Sequence, residues 1–263
     1  MSSLLVIPTY NCEKQIGRLL KNSAKLINAY FDEVLIIDNG SRDETLDSTI
    51  SNMNLIKIRA KVIQNKENIS LGGSLKTGFL YASQNSFDYV AVLHGDDQAN
   101  LKDLLAIVKN LEQNEVDLAI GARFHPGSTL VGYSNFRKVG NRLLNLYCII
   151  CTRTKIDDLI AGLNYFKVSK LDLSQILNYP DNLTFDVHIL LRAIHIKHKI
   201  EFFPITWTED DQVSNAKVVR QAMIILGLLT KYLLYSGKAL ILPKSERSYN
   251  NYTVVFQGDP RND

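Results

Sequence analysis

Short apolar runs alternate with amphipathic stretches through the first half of the chain. Leu4 to Pro8, Val34 to Asp38, Lys61 to Gln64, Tyr89 to Leu93 and Val116 to Gly121 are brief and rich in Val, Ile and Leu. Such runs suit strands buried on both faces. Between them, Glu13 to Asn28, Asp43 to Asn52, Ser70 to Ser83 and Leu101 to Gln113 carry apolar residues at helical spacing. Strand and helix in regular alternation predict right-handed crossovers and an α/β domain with a mostly parallel central sheet flanked by helices.

Beyond Gly121 the pattern loosens. His125 to Asn135 is a loop containing Gly, Pro and Ser, of a length that often serves a substrate. A helix from Phe136 to Cys151, a segment Asp157 to Lys167, a helix over Leu183 to Ile196 and a strand Ile200 to Ile205 complete this part. Ser214 to Leu242 then reads as one long helical pattern, very apolar. Its Lys217, Arg220, Lys231 and Lys238 fall within an arc of roughly 60°. Such a helix either packs on the domain with a solvated basic face or lies in a membrane interface with its lysines toward anionic headgroups. Charges every few residues argue against a membrane span. The expected division is a domain over residues 1–212, a C-terminal amphipathic helix over 213–243 and a loose polar tail over 244–263.

Composition changes this picture little. With 46% apolar and 22% charged residues, the 263-residue chain has the balance of a globular protein with a sizeable core. A net charge of +3 is too mild to imply nucleic acid. Cys12, Cys148 and Cys151 form no secretory framework, and the amino terminus runs straight into a strand, so a cytoplasmic location is expected. Cys148 and Cys151 are spaced like a metal or redox pair, but they sit in an apolar helical run without a second pair and read as core residues.

Open α/β sheets bind ligands beyond the carboxyl ends of their strands. Polar clusters stand there in this chain: Pro8-Thr9-Tyr10-Asn11, Asp38-Asn39-Gly40-Ser41-Arg42-Asp43 and His94-Gly95-Asp96-Asp97-Gln98. The last offers hard oxygen donors able to bridge a divalent cation to a diphosphate, although two aspartates after a strand also serve as a helix cap. No closely spaced glycines follow the first strand, which disfavours a dinucleotide fold and a sugar nucleotidyltransferase. His188, His195 and His198 lack carboxylate or thiolate company and read as packing or surface residues.

Taken in order, these clusters resemble glycosyltransferase family 2, and within it the dolichyl-phosphate mannose synthase-like branch. Asn68 with Gly72-Gly73 and Gly78-Phe79, Gly121-Ala122-Arg123, Arg137 with Asn141, and Asp158 with Gly162 extend the resemblance across residues 3–215. It implies a GT-A nucleotide-diphospho-sugar transferase fold, a nucleoside diphosphate sugar donor, GDP- or UDP-linked, and a divalent metal, Mn2+ or Mg2+. Pro8 and Tyr10 would line the base and ribose pocket, and Asp38 would accept a hydrogen bond from the base. The acidic residue that usually follows the motif Asn is displaced by Cys12 to Glu13, and Asn39 replaces a second Asp. Asp96 and Gln98 would bind metal, with Asp96 facing the donor. His94 replaces the first metal-region Asp and is either a ligand, which would suit manganese better than magnesium, or a wall residue. Asp97 has no family role and would cap the next helix.

The same resemblance assigns anionic groups to Arg123, Arg137 and Lys217, with Asn164 where an Arg is common. Taken alone, each arginine reads as a surface residue. Asp186 aligns with the general-base position, or is simply an exposed helix Asp. An already anionic polyprenyl phosphate acceptor would need no base, whereas a glycan hydroxyl would. The implied activity is therefore inverting transfer to a polyprenyl phosphate at the inner membrane face. The alternatives are transfer to a glycan hydroxyl in surface polysaccharide synthesis and a degenerate nucleotide-sugar-binding protein.

Overall fold

In the computed structural model, which describes residues 1–159, 161–209 and 218–259, the expected alternation is present. The order is β1 (Ser3–Thr9), α1 (Glu13–Tyr30), β2 (Glu33–Asp38), α2 (Thr45–Ser51), β3 (Arg59–Asn65), α3 (Ser70–Gln84) and β4 (Tyr89–Leu93). Then follow α4 (Leu101–Leu105), α5 (Val108–Gln113), β5 (Leu118–Ala122), β6 (Thr129–Val131), α6 (Asn135–Thr152), β7 (Leu163–Lys167) and α7 (Leu173–Ile176). The last elements are α8 (Phe185–His195), β8 (Ile200–Pro204), β9 (Thr206–Thr208), α9 (Val218–Tyr235) and β10 (Tyr252–Gly258).

One sheet runs β10-β3-β2-β1-β4-β7-β5-β8, with a small parallel pair β6-β9 beside it. The four central strands β3-β2-β1-β4 are parallel, so their carboxyl ends share one edge. β7 enters antiparallel between β4 and β5, and β10 is antiparallel on β3. Every residue of β1, β2, β4 and β5 is buried, which is why those runs are continuously apolar rather than alternating. Alternate residues feed two cores: Leu5 and Ile7 pack with α1 on one face, and Leu4 and Val6 with α3, α8 and α9 on the other.

The structure corrects the sequence reading in several places. Residues 244–263 were expected as a loose polar tail, yet Tyr252–Gly258 forms an edge strand on β3 with a bulge at Val254/Phe256. The same segment is pinned by Tyr249, whose hydroxyl meets the buried Lys76 Nζ at 2.9 Å and Asp181 Oδ1 at 2.8 Å. The expected helix Leu101 to Gln113 is two short helices, and Asn100 rather than Asp97 caps the first, accepting from Lys102 N at 3.1 Å. The last helix is described from Val218 and passes at Ser236 into a 3-10 turn. Among the described residues, Val219–Leu240 is long and apolar enough to cross a membrane by length and composition alone. Its Ile225, Leu228, Leu229 and Tyr232 are nevertheless buried in the core.

Candidate functional site

The carboxyl edge of the parallel strands gathers the polar clusters. Backbone bonds lock the strand ends together: Asn39 N donates to Thr9 O at 2.9 Å and Gly95 N to Pro8 O at 3.0 Å. A Cβ on Gly95 would lie 2.5 Å from Thr9 Cγ2, so only glycine lets the turn after β4 lie flat on the end of β1. The edge therefore brings Pro8, Tyr10, Asp38 and Asp96 onto adjacent strand ends.

Asp38 is 1% exposed. Its Oδ2 accepts from Gln64 Nε2 at 3.0 Å, and Ser41 N lies 3.3 Å from both oxygens. A carboxylate has about four acceptor sites, which leaves capacity for a base N–H. Asn39 ties three elements: it donates to Asn68 Oδ1 at 3.1 Å while its own Oδ1 accepts from Asn65 Nδ2 and Ile69 N, each at 3.0 Å. An amide both gives and takes here, which an ionised Asp could not do. Asn39 thus braces the strand end.

Glu13 opens α1, where its Oε2 accepts from Glu44 N at 3.3 Å, next to the bonds Glu13 N to Asp43 Oδ2 at 3.3 Å and Cys12 N to Thr45 Oγ1 at 2.7 Å. The carboxylate serves the start of α2. Burial pushes the Cys12 thiol up to about 12, so it is inert.

Asp96 is half-buried, with Oδ1 3.3 Å from Gln98 N. Asp97, at a φ of +56°, turns away to pair with Arg18 Nε at 2.5 Å. His94 sits with its ring against Gly162, and its Nε2 is buried without a partner. Burial lowers its pKa, against the opposing pull of Asp96, so the ring is neutral. A neutral imidazole with an unsatisfied nitrogen has the chemistry of a metal donor. That nitrogen is closed off, however, and coordination by His94 requires the ring to turn from its seat against Gly162. Among the described residues no three His, Cys, Asp or Glu side chains converge. Asp96 and Gln98 fit a divalent cation only if diphosphate oxygens complete its shell.

The arginines differ from the expectation of ready anion contacts. Arg123 is buried in a bidentate pair with Asp158, Nε to Oδ2 at 2.8 Å and Nη2 to Oδ1 at 2.9 Å, and its Nη1 donates to Tyr133 OH at 3.0 Å. Burial works against its charge, but Asp158 outweighs burial and raises its pKa. Arg123 therefore holds the loop before β7 rather than presenting a free fork or a surface residue. Arg137 lies in the first turn of α6, its N–H donating to the cap Ser134, and pairs with Glu209 Oε2 at 2.6 Å. Glu209 was not singled out from the sequence; it lies 72 residues from Arg137, beyond any local periodicity. Lys217 lies outside the described residues.

Asp186 stands in the first turn of α8, 9% exposed, not on a solvated helix face. Its Oδ2 and the Oδ1 of Asn164 are both buried without partners. Both line a cavity of about 10 Å³ walled by Leu118, Ile120, Leu159 and Leu190, about the room of one water. Burial alone pushes the Asp186 carboxyl up to about 7. Asn164 pairs with Val92 in the sheet, and His94 N bonds Gly162 O at 2.9 Å, so this cavity lies just under the edge that carries Asp96. His188 is a packing residue, its ring tilted against Tyr179 with centroids 5.1 Å apart and bonded to Thr184 O at 2.9 Å.

The family model for Glycosyl transferase family 2 matches residues 4–173. An uncharacterized protein of Methanocaldococcus jannaschii is 28% identical over 162 residues, 62% of this chain and 63% of that protein, so the chain spans less than two thirds of this relative's length. The polyprenol monophosphomannose synthase of Mycolicibacterium smegmatis is 24% identical over 214 residues, 79% of this chain and 77% of that one. Among solved structures, glucosyl-3-phosphoglycerate synthase from Mycobacterium tuberculosis, in complex with Mn2+, UDP and phosphoglyceric acid, superposes with a TM-score of 0.62 at 14% identity. That match covers 99% of this chain and 90% of the other, and it shows the shared GT-A fold.

Proposed function

Because the chain belongs to glycosyl transferase family 2, we propose that it is an inverting glycosyltransferase carrying a sugar from a GDP- or UDP-linked donor to a polyprenyl phosphate at the inner membrane face. The observation that carries this reading is that Asp38 ends β2 and Asp96 lies in the turn just beyond β4, the two strands that flank β1, with Pro8 and Tyr10 between them. One carboxylate is set for a base and the other for a diphosphate.

In this reading Asp38 accepts an N–H of the base, held in place by Gln64 and Ser41. Pro8 and Tyr10 wall the base and ribose, and Glu13 steadies the loop beside them through Glu44 N. Asp96 and Gln98 would hold Mn2+ or Mg2+, which supplies neutralisation of the charge growing on the leaving diphosphate. The acceptor phosphate attacks the anomeric carbon in line as the diphosphate departs. Arg137 is the cation we assign to it, exchanging Glu209 for a phosphate oxygen. Lys217 would add a second positive charge. Arg123 supports the site through Asp158.

The buried Asp186 favours a phosphate acceptor over a hydroxyl. Its Oδ2 is buried beside a cavity with room for about one water, too small to admit a sugar hydroxyl. Transfer to a glycan hydroxyl with Asp186 as base is the second reading; it draws on the raised pKa of that carboxyl.

Titration calorimetry of GDP and UDP, with and without Mn2+, on the native chain and on Asp96→Ala tests the proposal. Metal-dependent binding of one nucleotide, lost in the variant, is expected. Failure of both nucleotides to bind under any condition refutes it and favours a degenerate or unrelated function.

A further inference from the structure

Two neighbouring helices leave uncovered most of the large apolar side chains that the described residues expose. On α6, Phe136, Val139, Leu143, Leu146 and Ile150 stand at least 53% exposed. Their steps of three and four keep them within an arc of about 80°. The other side of α6 buries Asn145, Cys148 and Cys151, so the stripe is a second apolar face rather than an edge of the core.

α9 repeats the arrangement. Its Ile225, Leu228, Leu229 and Tyr232 enter the core, while Val219, Met223, Leu233 and Leu234 are at least 47% exposed. The two outer arcs adjoin. Tyr147 OH and Thr230 Oγ1 meet at 2.9 Å, and on about 100° per residue Tyr147 borders the α6 stripe while Thr230 lies inside the α9 one.

The charge on this face has one sign. Neither α6 nor residues 218–242 contain an Asp or Glu, whereas Arg142, Arg220, Lys231 and Lys238 are exposed there. In a chain with 27 acidic residues that absence over two helices is selective.

We propose that α6 and α9 together form a seat on an anionic lipid surface, both helices lying in the headgroup plane with their apolar stripes in the acyl boundary. The seat deepens the membrane-acceptor reading above, since Arg137, the cation assigned to the acceptor, lies in the first turn of α6. A second copy of the chain fits this face poorly, because two acid-free cationic faces would repel. A span fits poorly too: α9 in a bilayer core would withdraw Leu228 and Leu229 from the domain and leave Lys231 near mid-span. An amphipathic pair lying flat keeps the core intact and places the cations among anionic headgroups.

The test is co-sedimentation of the full chain with phosphatidylcholine vesicles, with and without phosphatidylglycerol, alongside calorimetry of UDP and GDP. The native chain is expected to bind the anionic vesicles, less at high salt and less to phosphatidylcholine alone. Leu143→Ser with Leu146→Ser should weaken vesicle binding at least about tenfold and leave nucleotide affinity unchanged. Val254→Ser, exposed on β10 away from the seat, should change neither.

Anionic vesicles ignored by the native chain, or bound equally by the double variant, overturn the seat. A native dimer by light scattering that the double variant makes monomeric also overturns it, in favour of a second copy. Vesicle binding by a chain that binds neither nucleotide would support the seat and refute the transferase reading, so the two fail separately.

Discussion

Replacing Asp186 by Asn probes the buried carboxyl without changing its shape. Burial lifts this group from 3.8 to about 7 in the folded chain. Below about pH 4 both folded and unfolded chains hold the proton, and no penalty exists. Between about pH 4 and 7 the unfolded chain releases it while the folded chain keeps it, so stability falls as pH rises. Above about pH 7 the full penalty applies, a gap of about 3 units or about 4 kcal/mol as an order of magnitude. The amide at position 186 cannot titrate, and its N–H₂ faces the cavity that holds the unpaired Asn164 Oδ1. Urea denaturation at pH 4.5, 6 and 8 should therefore show the variant gaining on the native chain by about 3 kcal/mol from the lowest pH to the highest. A difference that stays flat with pH, or a carboxyl carbon resonance of Asp186 titrating near 4, would refute the reasoning. The same variant separates the acceptors. Transfer to a polyprenyl phosphate should persist, whereas transfer to a hydroxyl with Asp186 as base should collapse.

Other consequences can be measured directly. Asp158→Ala leaves the Arg123 guanidinium buried without its bidentate partner, and denaturant titration should show a loss of about 3–5 kcal/mol. Gly95→Ala drives a Cβ to within 2.5 Å of Thr9 Cγ2 and should cost about 1–3 kcal/mol while weakening nucleotide binding, read by calorimetry. Gly140→Ala, in α6 with nothing within 4 Å of its added Cβ, should instead stabilise by about 0.5–1 kcal/mol in the same titration. The Cys12 and Cys148 thiols, both pushed up to about 12 chiefly by burial, should resist a thiol reagent at pH 8 until the chain is unfolded.

Much of the fold was legible because its signals are local. A continuous apolar run of about five residues bounded by turn residues suits a strand covered on both faces, so β1, β2 and β4 could be drawn from hydropathy and run length. Their order then placed Asp38 and Asp96 on one edge, because parallel strands share a carboxyl end. Residues 252–258 escaped this logic. The bulge at Val254/Phe256 interrupts the alternation that a half-buried strand would show, and only the free edge of β3 makes it a strand.

What each side chain touches was decided by the tertiary structure alone. The sequence marked Arg123, Arg137, His94 and Asp186 as chemically capable residues, and its motifs sufficed to suggest the family. It could not tell that Arg123 is held by Asp158, Arg137 by Glu209 across 72 positions, or His94 by the backbone at Gly162. Nor could it tell that Asp186 faces an apolar cavity rather than water. The physical reason is range: hydrophobic period and strand-end motifs are written in neighbours along the chain. Ion pairing, desolvation and the exposed second faces of α6 and α9 depend on which distant segments the fold brings together and which it leaves uncovered.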